Sequence, residues 1–255
     1  MKKILELRDV GMAYHTVSGE IPALSHISFS VEEGEFVSLV GPSGCGKSTL
    51  LNLIAGLLTP EQGSILIRGV PLEKSTLTIG YMLQKDHLFE WRNIYENVIL
   101  GLEIQKKKTP EHLKRVDRLL SEYGLADFRS ARPSQLSGGM RQRAALIRTL
   151  ALDPSLLLLD EPFSALDYQT RLNVSDDIGA IIRKEKKTAL LVTHDISEAI
   201  SMSDRVIVLS KSPAVIRSVI PISLDIPNRT PMTSRNAPDF KTYFNRIWKE
   251  LNDHV

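Results

Sequence analysis

A glycine-rich loop between two apolar segments constrains this sequence more than any other feature. Residues 41–49 fit the pattern G-x-x-x-x-G-K-[ST] at every fixed position. The apolar run 36–40 before the loop is typical of a buried strand, and residues 50–56 after it are typical of a helix. In this order, backbone N–H groups and a helix N-terminus surround a phosphate. The predicted phosphate loop consists of Gly41, Pro42, Ser43, Gly44, Cys45, Gly46, Lys47, Ser48 and Thr49.

Two side chains of the loop have separate predicted roles. Lys47 would reach the β- and γ-phosphates of a nucleotide, and the Ser48 hydroxyl would face Mg²⁺. The alternative is a glycine-rich strand-to-helix turn that binds nothing. The agreement of the pattern with both flanking segments favours the phosphate site.

Composition limits the classes of protein to which the chain can belong. The 255 residues, with a hydrophobic content of 42%, allow one large domain or a domain with a small appendage. A formal net charge of +2 argues against nucleic-acid binding by bulk electrostatics. Cys45 is the single cysteine, which excludes an internal disulfide framework and favours a reducing compartment. No apolar run reaches the roughly 18–20 residues of a membrane helix. We therefore expect a soluble chain whose membrane role, if it has one, comes through a partner.

The remaining pattern predicts an α/β chain. Residues 4–35 alternate apolar and polar side chains, which predicts antiparallel strands with one solvent-facing side. From about residue 85 to 152 the spacing becomes helical, and residues 205–220 predict a hairpin. Asp195 and Glu198 form a predicted helix capping pair.

Polar side chains follow four apolar strands at the point where each strand ends. The phosphate loop follows the first, Gln84 the second, Asp160 and Glu161 the third, and His194 the fourth. In open α/β sheets the ligand lies outside the carboxyl ends of the strands. If these strands are parallel neighbours, all four groups lie around one phosphate.

Two further features each have two interpretations. Ser137, Gly138 and Gly139 precede a helical segment, so Ser137 is either an ordinary helix cap or part of a second anion site. Tyr14 lies in a turn-like stretch, where it is either a surface tyrosine or a platform for a nucleotide base. The residues alone leave both pairs open.

The string L-S-G-G-M-R-Q-R at residues 136–143 makes the chain resemble the ATP-binding subunits of ABC transporters. The resemblance covers roughly residues 4 to 220 and implies a P-loop NTPase core with a mostly parallel sheet, an N-terminal antiparallel β subdomain and an inserted helical subdomain. The matching positions are Tyr14 (A-loop), Gln84 (Q-loop), residues 136–142 (signature motif), 156–161 (Walker B), 164–167 (D-loop) and His194 (H-loop).

The resemblance implies an active ATPase that uses ATP and Mg²⁺. Its cassettes work as head-to-tail dimers, so Ser137, Gly138 and Gly139 would contact the γ-phosphate bound to the other copy, with Asp167 also at the nucleotide. Tyr14 would stack on adenine. Glu161 would polarise the attacking water, with His194 and Lys47 completing the catalytic set. The implied metal ligands are Ser48, Gln84 and Asp160.

The segment 84–97 is expected to dock on membrane permease subunits. Phe89 and Trp91 either fill the core of the helical subdomain or line a groove for a permease helix. Residues 88–92 are similar to an L-x-x-W-R feature of importers for nitrate, aliphatic sulfonates and taurine, although Glu90 stands where proline is common there. Thr230-Pro231 and the basic-aromatic tail are also similar to that group of importers. The expected substrate rests on these similarities alone.

We predict a nucleotide-binding domain at residues 1–220, with the helical subdomain 85–152 nested within it, and a C-terminal extension 221–255. The extension ends in an amphipathic helix that packs on its own domain, on a second copy or on a partner. The expected function is the energy-coupling subunit of a small-solute importer at the cytoplasmic face of the membrane, with a solute-binding protein as an indirect partner. The alternatives are the ATPase of an exporter and a soluble ABC ATPase.

Overall fold

The computed structural model describes residues 2–17, 19–227 and 229–252. Within them the chain forms a four-stranded and a six-stranded sheet. The strands are β1 (Lys3–Thr16), β2 (Gly19–Glu32), β3 (Phe36–Val40), β4 (Gln62–Ile67), β5 (Val70–Pro71), β6 (Ile79–Met82), β7 (Leu156–Asp160), β8 (Thr188–Thr193), β9 (Arg205–Leu209) and β10 (Ile216–Pro221). The helices are α1 (Lys47–Ile54), α2 (Ile94–Val98), α3 (Leu100–Ile104), α4 (Pro110–Glu122), α5 (Gly138–Leu150), α6 (Tyr168–Lys184), α7 (Ile196–Met202), α8 (Pro231–Ser234) and α9 (Phe240–Asn252).

The four-stranded sheet is antiparallel and has the order β2-β1-β4-β5. It confirms the strands predicted over residues 4–35. Tyr14 lies inside β1 opposite Ile21, so its assignment to a turn was wrong. The reason is that the β1–β2 pairing continues to Thr16, through the whole of the stretch that was predicted to be turn-like.

The six-stranded sheet has the order β10-β9-β3-β8-β7-β6. Strands β3, β8, β7 and β6 are adjacent and parallel, which confirms that the four polar strand ends share one edge. The side chains of β3, β7 and β8 are buried on both faces up to the last residue of β7, as consecutive apolar residues in a parallel sheet require. The predicted hairpin is the antiparallel pair β9–β10.

The helices α2 to α5 form the predicted helical insert. Thr109 caps α4 by accepting a hydrogen bond from the His112 amide, and Pro110 occupies the first helical position. Gly124 follows the helix with φ +73°, a backbone conformation that favours glycine. Helix α5 is buried along most of its length and packs against α2 and α6. The insert therefore joins the sheet through α5.

The C-terminal helix α9 packs on its own chain. Ile247 is fully buried in a cluster with side chains of β9 and α7, such as Val206 and Ile200. Trp248, the next residue of the helix, is 56% exposed. The domain boundary at residue 220 remains a prediction, because Ile220 and the extension share this cluster. Residues 253–255 of the predicted extension lie outside the described residues.

In the described part of the chain, none of the helices combines the length and the apolar character that crossing a membrane requires.

Candidate nucleotide site

The phosphate loop closes around the side chain of its own lysine. Lys47 is 5% exposed, and its Nζ donates to the carbonyls of Gly41 and Pro42 at 2.8 Å each. No carboxylate lies within ion-pair distance of this ammonium among the described residues. A buried cation without a counter-ion is costly, so the loop is suited to an anionic ligand.

Glycine is required at the start of α1. Gly46 has φ +103°, and a Cβ atom there would lie 2.9 Å from Leu24 Cδ2 and 3.0 Å from the Ala23 carbonyl oxygen. The absence of a side chain lets β2 pack directly on the loop. The loop is thereby held against the antiparallel sheet, in which Tyr14 also lies.

Tyr14 contacts the end of the phosphate loop. Its hydroxyl is 2.9 Å from Thr49 Oγ1, and the residue is 40% exposed. The ring therefore stands beside the loop with a surface open to solvent. This arrangement fits a base-stacking platform better than an isolated tyrosine on a hairpin.

Ser48 and Asp160 meet across the ends of α1 and β7. Ser48 Oγ donates to Asp160 Oδ1 at 3.3 Å, while the Tyr81 hydroxyl donates to Asp160 Oδ2 at 3.4 Å and to Asn52 Oδ1 at 3.1 Å. Burial raises the pKa of the Asp160 carboxyl, and the charge of Glu161 acts in the same direction. Carboxylate and hydroxyl oxygens are the ligands that Mg²⁺ prefers. The donor set therefore fits the implied metal.

Glu161 and His194 form the pair at the neighbouring strand end. His194 Nδ1 lies 3.1 Å from Glu161 Oε2, and the Glu161 amide donates to the Val192 carbonyl at 2.9 Å. Glu161 has φ +43°, a left-handed conformation that costs a non-glycine residue on the order of 1–3 kcal/mol. The strained turn directs the carboxylate toward His194 at the sheet edge.

Gln84 reaches the site indirectly. Its Nε2 donates to Ser164 Oγ at 3.1 Å, and that hydroxyl donates to the Glu161 carbonyl at 3.0 Å. No hydrogen bond joins Gln84 to Ser48 or Asp160 in the described chain. The structure thus brings two of the three predicted metal ligands together and places the third beside the 164–167 segment.

The segment 136–143 lies apart from the phosphate loop. Ser137 Oγ accepts from the Met140 amide at 3.3 Å and so caps α5. Among the described residues, no hydrogen bond or ion pair links this segment to residues 41–49. Asp167 caps α6 by accepting from Thr170 N at 3.0 Å, and hydrogen bonding with the Thr170 side chain and backbone lowers the pKa of its carboxyl. One copy of the chain therefore carries the two predicted anion sites separately.

Sequence reasoning missed Tyr81, whose hydroxyl reaches Asp160 from the adjacent strand β6, and Asn52 on α1, which accepts a hydrogen bond from the same hydroxyl. The alternation of β6 could have indicated which face Tyr81 occupies, but not which side chain it meets.

Cys45 is 1% exposed, and burial raises the pKa of its thiol. Its place in the loop is therefore beneath the surface that faces the ligand.

Comparisons with known proteins show to which family the chain belongs. A family model described as ABC transporter matches residues 24–164. The chain is 48% identical to the uncharacterized ABC transporter ATP-binding protein YtlC of Bacillus subtilis over 248 residues, which cover 97% of this chain and 95% of that protein. It is 37% identical to the aliphatic sulfonates import ATP-binding protein SsuB of Bacillus licheniformis over 247 residues, 97% of this chain and 94% of that protein.

A solved structure extends the comparison to a nucleotide-bound state. The ATP-binding cassette MJ0796, in a dimeric post-hydrolysis structure bound to ADP and Pi, superposes with a TM-score of 0.73 at 32% identity, covering 86% of this chain and 99% of that one. The fold and the family expected from residues 136–143 are confirmed. The chain belongs to the ABC transporter family as an ATP-binding subunit and is an ABC ATPase.

Proposed function

We propose that this chain is the energy-coupling subunit of an importer for a small solute, and that two head-to-tail copies hydrolyse Mg²⁺-bound ATP beneath membrane permease subunits at the cytoplasmic face. The observation that carries the nucleotide site is the buried Lys47 ammonium, which has only the carbonyls of Gly41 and Pro42 as close oxygen partners. Asp160 and the Glu161–His194 pair lie at the same sheet edge.

Lys47 and the backbone of residues 41–49 bind the phosphates. The ammonium leaves the two carbonyls and turns to the β- and γ-phosphate oxygens, which replace neutral acceptors by charged ones. Tyr14 stacks on the adenine from the side of Thr49. The side chain of Cys45 supports the loop from below, while its amide lies in the loop backbone.

Ser48, Asp160 and Gln84 hold the metal ion. Mg²⁺ neutralises charge on the phosphate oxygens when bound. Asp160 is kept in place by Ser48 and by the Tyr81 hydroxyl, so its oxygens are oriented before the ion arrives. Gln84 would give up its hydrogen bond to Ser164 in order to join Ser48 and Asp160 at the metal position.

Glu161 orients and polarises the attacking water, and His194 holds that carboxylate and contacts the γ-phosphate. The observed Nδ1–Oε2 contact of 3.1 Å supports the pairing, and the 22% exposure of the Glu161 side chain leaves it open to a water molecule. Phosphoryl transfer depends mostly on positioning and charge stabilisation, and this pair supplies positioning.

The second copy completes the site. Ser137, Gly138 and Gly139 present the N-terminus of α5 to the γ-phosphate of the partner, where its positive dipole end stabilises the anion. Support comes from the separation of this segment from the loop within one copy and from the dimeric structure of the related cassette. Asp167, exposed at the start of α6, approaches the nucleotide from the same side of the interface.

The segment 84–97 carries the permease surface. The rings of Phe89 and Trp91 stack with centroids 4.6 Å apart, and Trp91 is 71% exposed. The fully buried Asn97 binds the backbone of Phe89 through both its oxygen and its nitrogen. Arg148 donates to the carbonyls of Asp86 and His87 at 2.7 Å each. A rigid exposed aromatic pair is typical of a partner site and not of a subdomain core.

An organic sulfonate, taurine included, is our first choice of imported solute, and nitrate and other small molecules are the next. The support is the similarity to the sulfonate importer subunit and the L-x-x-W-R feature at residues 88–92. At the unusual position of that feature, Glu90 accepts a hydrogen bond from Ser134 N at 3.2 Å, which fixes the turn that proline would otherwise fix.

Reconstitution with the permease tests the proposal. We expect the chain to co-purify with a permease, and we expect a loaded solute-binding protein to raise its ATPase rate. Trp91→Ser should abolish this stimulation and leave ATP binding unchanged, whereas Trp248→Ser, on α9, should leave both unchanged. If the chain hydrolysed ATP but no permease bound it or raised its rate, this result would contradict the importer function and favour a soluble ABC ATPase.

A further inference from the structure

Arg171 on α6 contacts two functional segments at once. Its Nη2 donates to the Leu166 carbonyl in the 164–167 segment at 3.1 Å. Its Nη1 lies 3.8 Å from Asp195 Oδ2, and its Nε lies 3.9 Å from Glu198 Oε1. The guanidinium therefore bridges the segment before α6 and the turn that leads from β8 into α7.

The Glu198 carboxylate and the Thr193 hydroxyl hold the residues on both sides of His194. Glu198 Oε2 accepts a hydrogen bond from Thr193 Oγ1 at 2.7 Å, and Thr193 Oγ1 accepts from the Asp195 amide at 3.0 Å. The predicted capping pair was wrong in one half: Asp195 accepts from the Ser197 and Glu198 amides, but the Glu198 side chain turns inward instead of returning to the cap. The turn thus depends on the Glu198 carboxylate.

The Glu198 carboxylate is buried and faces a cation. Glu198 is 4% exposed, and burial raises the pKa of its carboxyl to about 7, while the Thr193 hydrogen bond and then the charge of Arg171 oppose that rise. Arg171 Nε is itself buried and has no hydrogen-bond partner in the described chain. The two groups face each other at a distance that a shift of about 1 Å would convert into a charge-assisted hydrogen bond.

We propose that Arg171 and Glu198 are positioning residues that couple the 164–167 segment to His194, so that the placement of this segment sets the orientation of the histidine toward Glu161. The inference rests on the proposed roles of Glu161 and His194. The 164–167 segment also holds Ser164, which joins Gln84 to the Glu161 carbonyl. A movement of this segment therefore reaches Glu161 directly and His194 through Arg171.

Steady-state kinetics of Arg171→Met test the coupling. We expect kcat for ATP to fall at least tenfold and KM to change less than threefold, because no phosphate contact is lost. Arg171→Lys should recover part of kcat. Arg183→Met is the matched control: Arg183 lies on the same helix and donates to the carbonyls of Arg229 and Met202, away from His194. It should leave kcat unchanged.

Glu198→Gln tests the same coupling from the other residue, and it remains informative if Arg171→Met does not fold. The amide keeps the Thr193 hydrogen bond and loses the charge, so kcat should fall as for Arg171→Met. The double variant should be no slower than the slower single variant, because both remove the same coupling. The imidazole ¹⁵N signals of His194 should shift in each single variant and not in Arg183→Met.

The coupling would be overturned by an unchanged kcat in Arg171→Met, by additive losses in the double variant, or by an unchanged His194 signal. In each of these cases, ATPase activity of the wild type would leave the proposed function intact. An equal loss of kcat in Arg183→Met would reduce Arg171 to a structural role and overturn it as well. A folded wild-type chain that hydrolysed no ATP would overturn the proposed function and the coupling together.

Discussion

His194 Nδ1 lies 3.1 Å from Glu161 Oε2 although the two residues are 33 positions apart in the sequence. The contact exists because β7 and β8 are adjacent and parallel, so their carboxyl ends meet at one edge. The same edge carries the phosphate loop after β3. The geometry that we propose for hydrolysis therefore follows from strand order.

Replacing Glu161 by glutamine should separate ATP binding from turnover. The amide retains the size of the side chain but cannot accept a proton, so we expect ATP binding to remain and the steady-state rate to fall roughly 10²–10⁴-fold. Phosphate release and equilibrium ATP binding measured on the same preparation check this. Hydrolysis by Glu161→Gln at the wild-type rate would show that Glu161 does not polarise the attacking water.

Tyr81→Phe should weaken the proposed metal site and leave the phosphate loop unchanged. The change removes the hydroxyl that donates to Asp160 and Asn52, so Asp160 loses one of its two orienting partners. We expect the Mg²⁺ concentration for half-maximal activity to rise several-fold, and the free energy of unfolding to fall by about 1 kcal/mol. ATP binding measured in EDTA should not change.

Tyr95→Phe serves as the control for this prediction. Its ring lies under the Arg129 guanidinium at 3.7 Å, a contact that phenylalanine preserves. Equal Mg²⁺ dependence in Tyr81→Phe and the wild type would show that Asp160 needs no support from β6.

The four strand ends could be predicted from sequence because apolar runs and the residues that follow them are local patterns. The Arg171 contacts could not, since they join α6 to a turn 24 positions further along the chain, and no periodicity marks that pairing. The left-handed backbone of Glu161 was equally hidden, because glutamate rarely adopts it and only the surrounding fold imposes it. Tyr14 was misplaced for the opposite reason: strand pairing overrode a local turn signal.

Alkylation of Cys45 should be slow in the folded protein. The thiol is 1% exposed and burial raises its pKa, so both access and thiolate formation are limited. We expect iodoacetamide to label the unfolded chain much faster than the native one, with ATP slowing the native reaction further and labelled protein failing to bind ATP. Mass spectrometry of quenched samples follows the reaction. Labelling at the same rate with and without ATP would separate Cys45 from the nucleotide site.

The stability of the protein should depend on pH through Glu198. Asp195 on the same turn, His194 at the end of β8 and Arg171 from α6 face this carboxyl, whose pKa burial raises from its ordinary value of 4.5 to about 7. The folded protein holds the proton that the unfolded chain releases. The contribution is therefore complete below pH 4.5 and is lost as the pH rises through about 7.

Urea unfolding at pH 5, 6, 7 and 8 compares the wild type with Glu198→Gln. The wild type should lose stability relative to the variant across this range, by at most about 3 kcal/mol. Parallel pH profiles would show that the folded protein does not raise the pKa of Glu198.

We propose that the phosphate loop is half of a nucleotide site and that residue 137 of a second copy completes it. Aspartate and asparagine both cap helices as well as serine does, so Ser137→Asp and Ser137→Asn preserve α5 and differ mainly in charge. The most direct measurement is the light-scattering mass of each variant in the Glu161→Gln background with Mg²⁺ and ATP. We expect a dimer for Glu161→Gln alone and with Ser137→Asn, and an ATP-bound monomer with Ser137→Asp, because the carboxylate repels the γ-phosphate of the partner. A dimer of unchanged stability in the aspartate variant would contradict it.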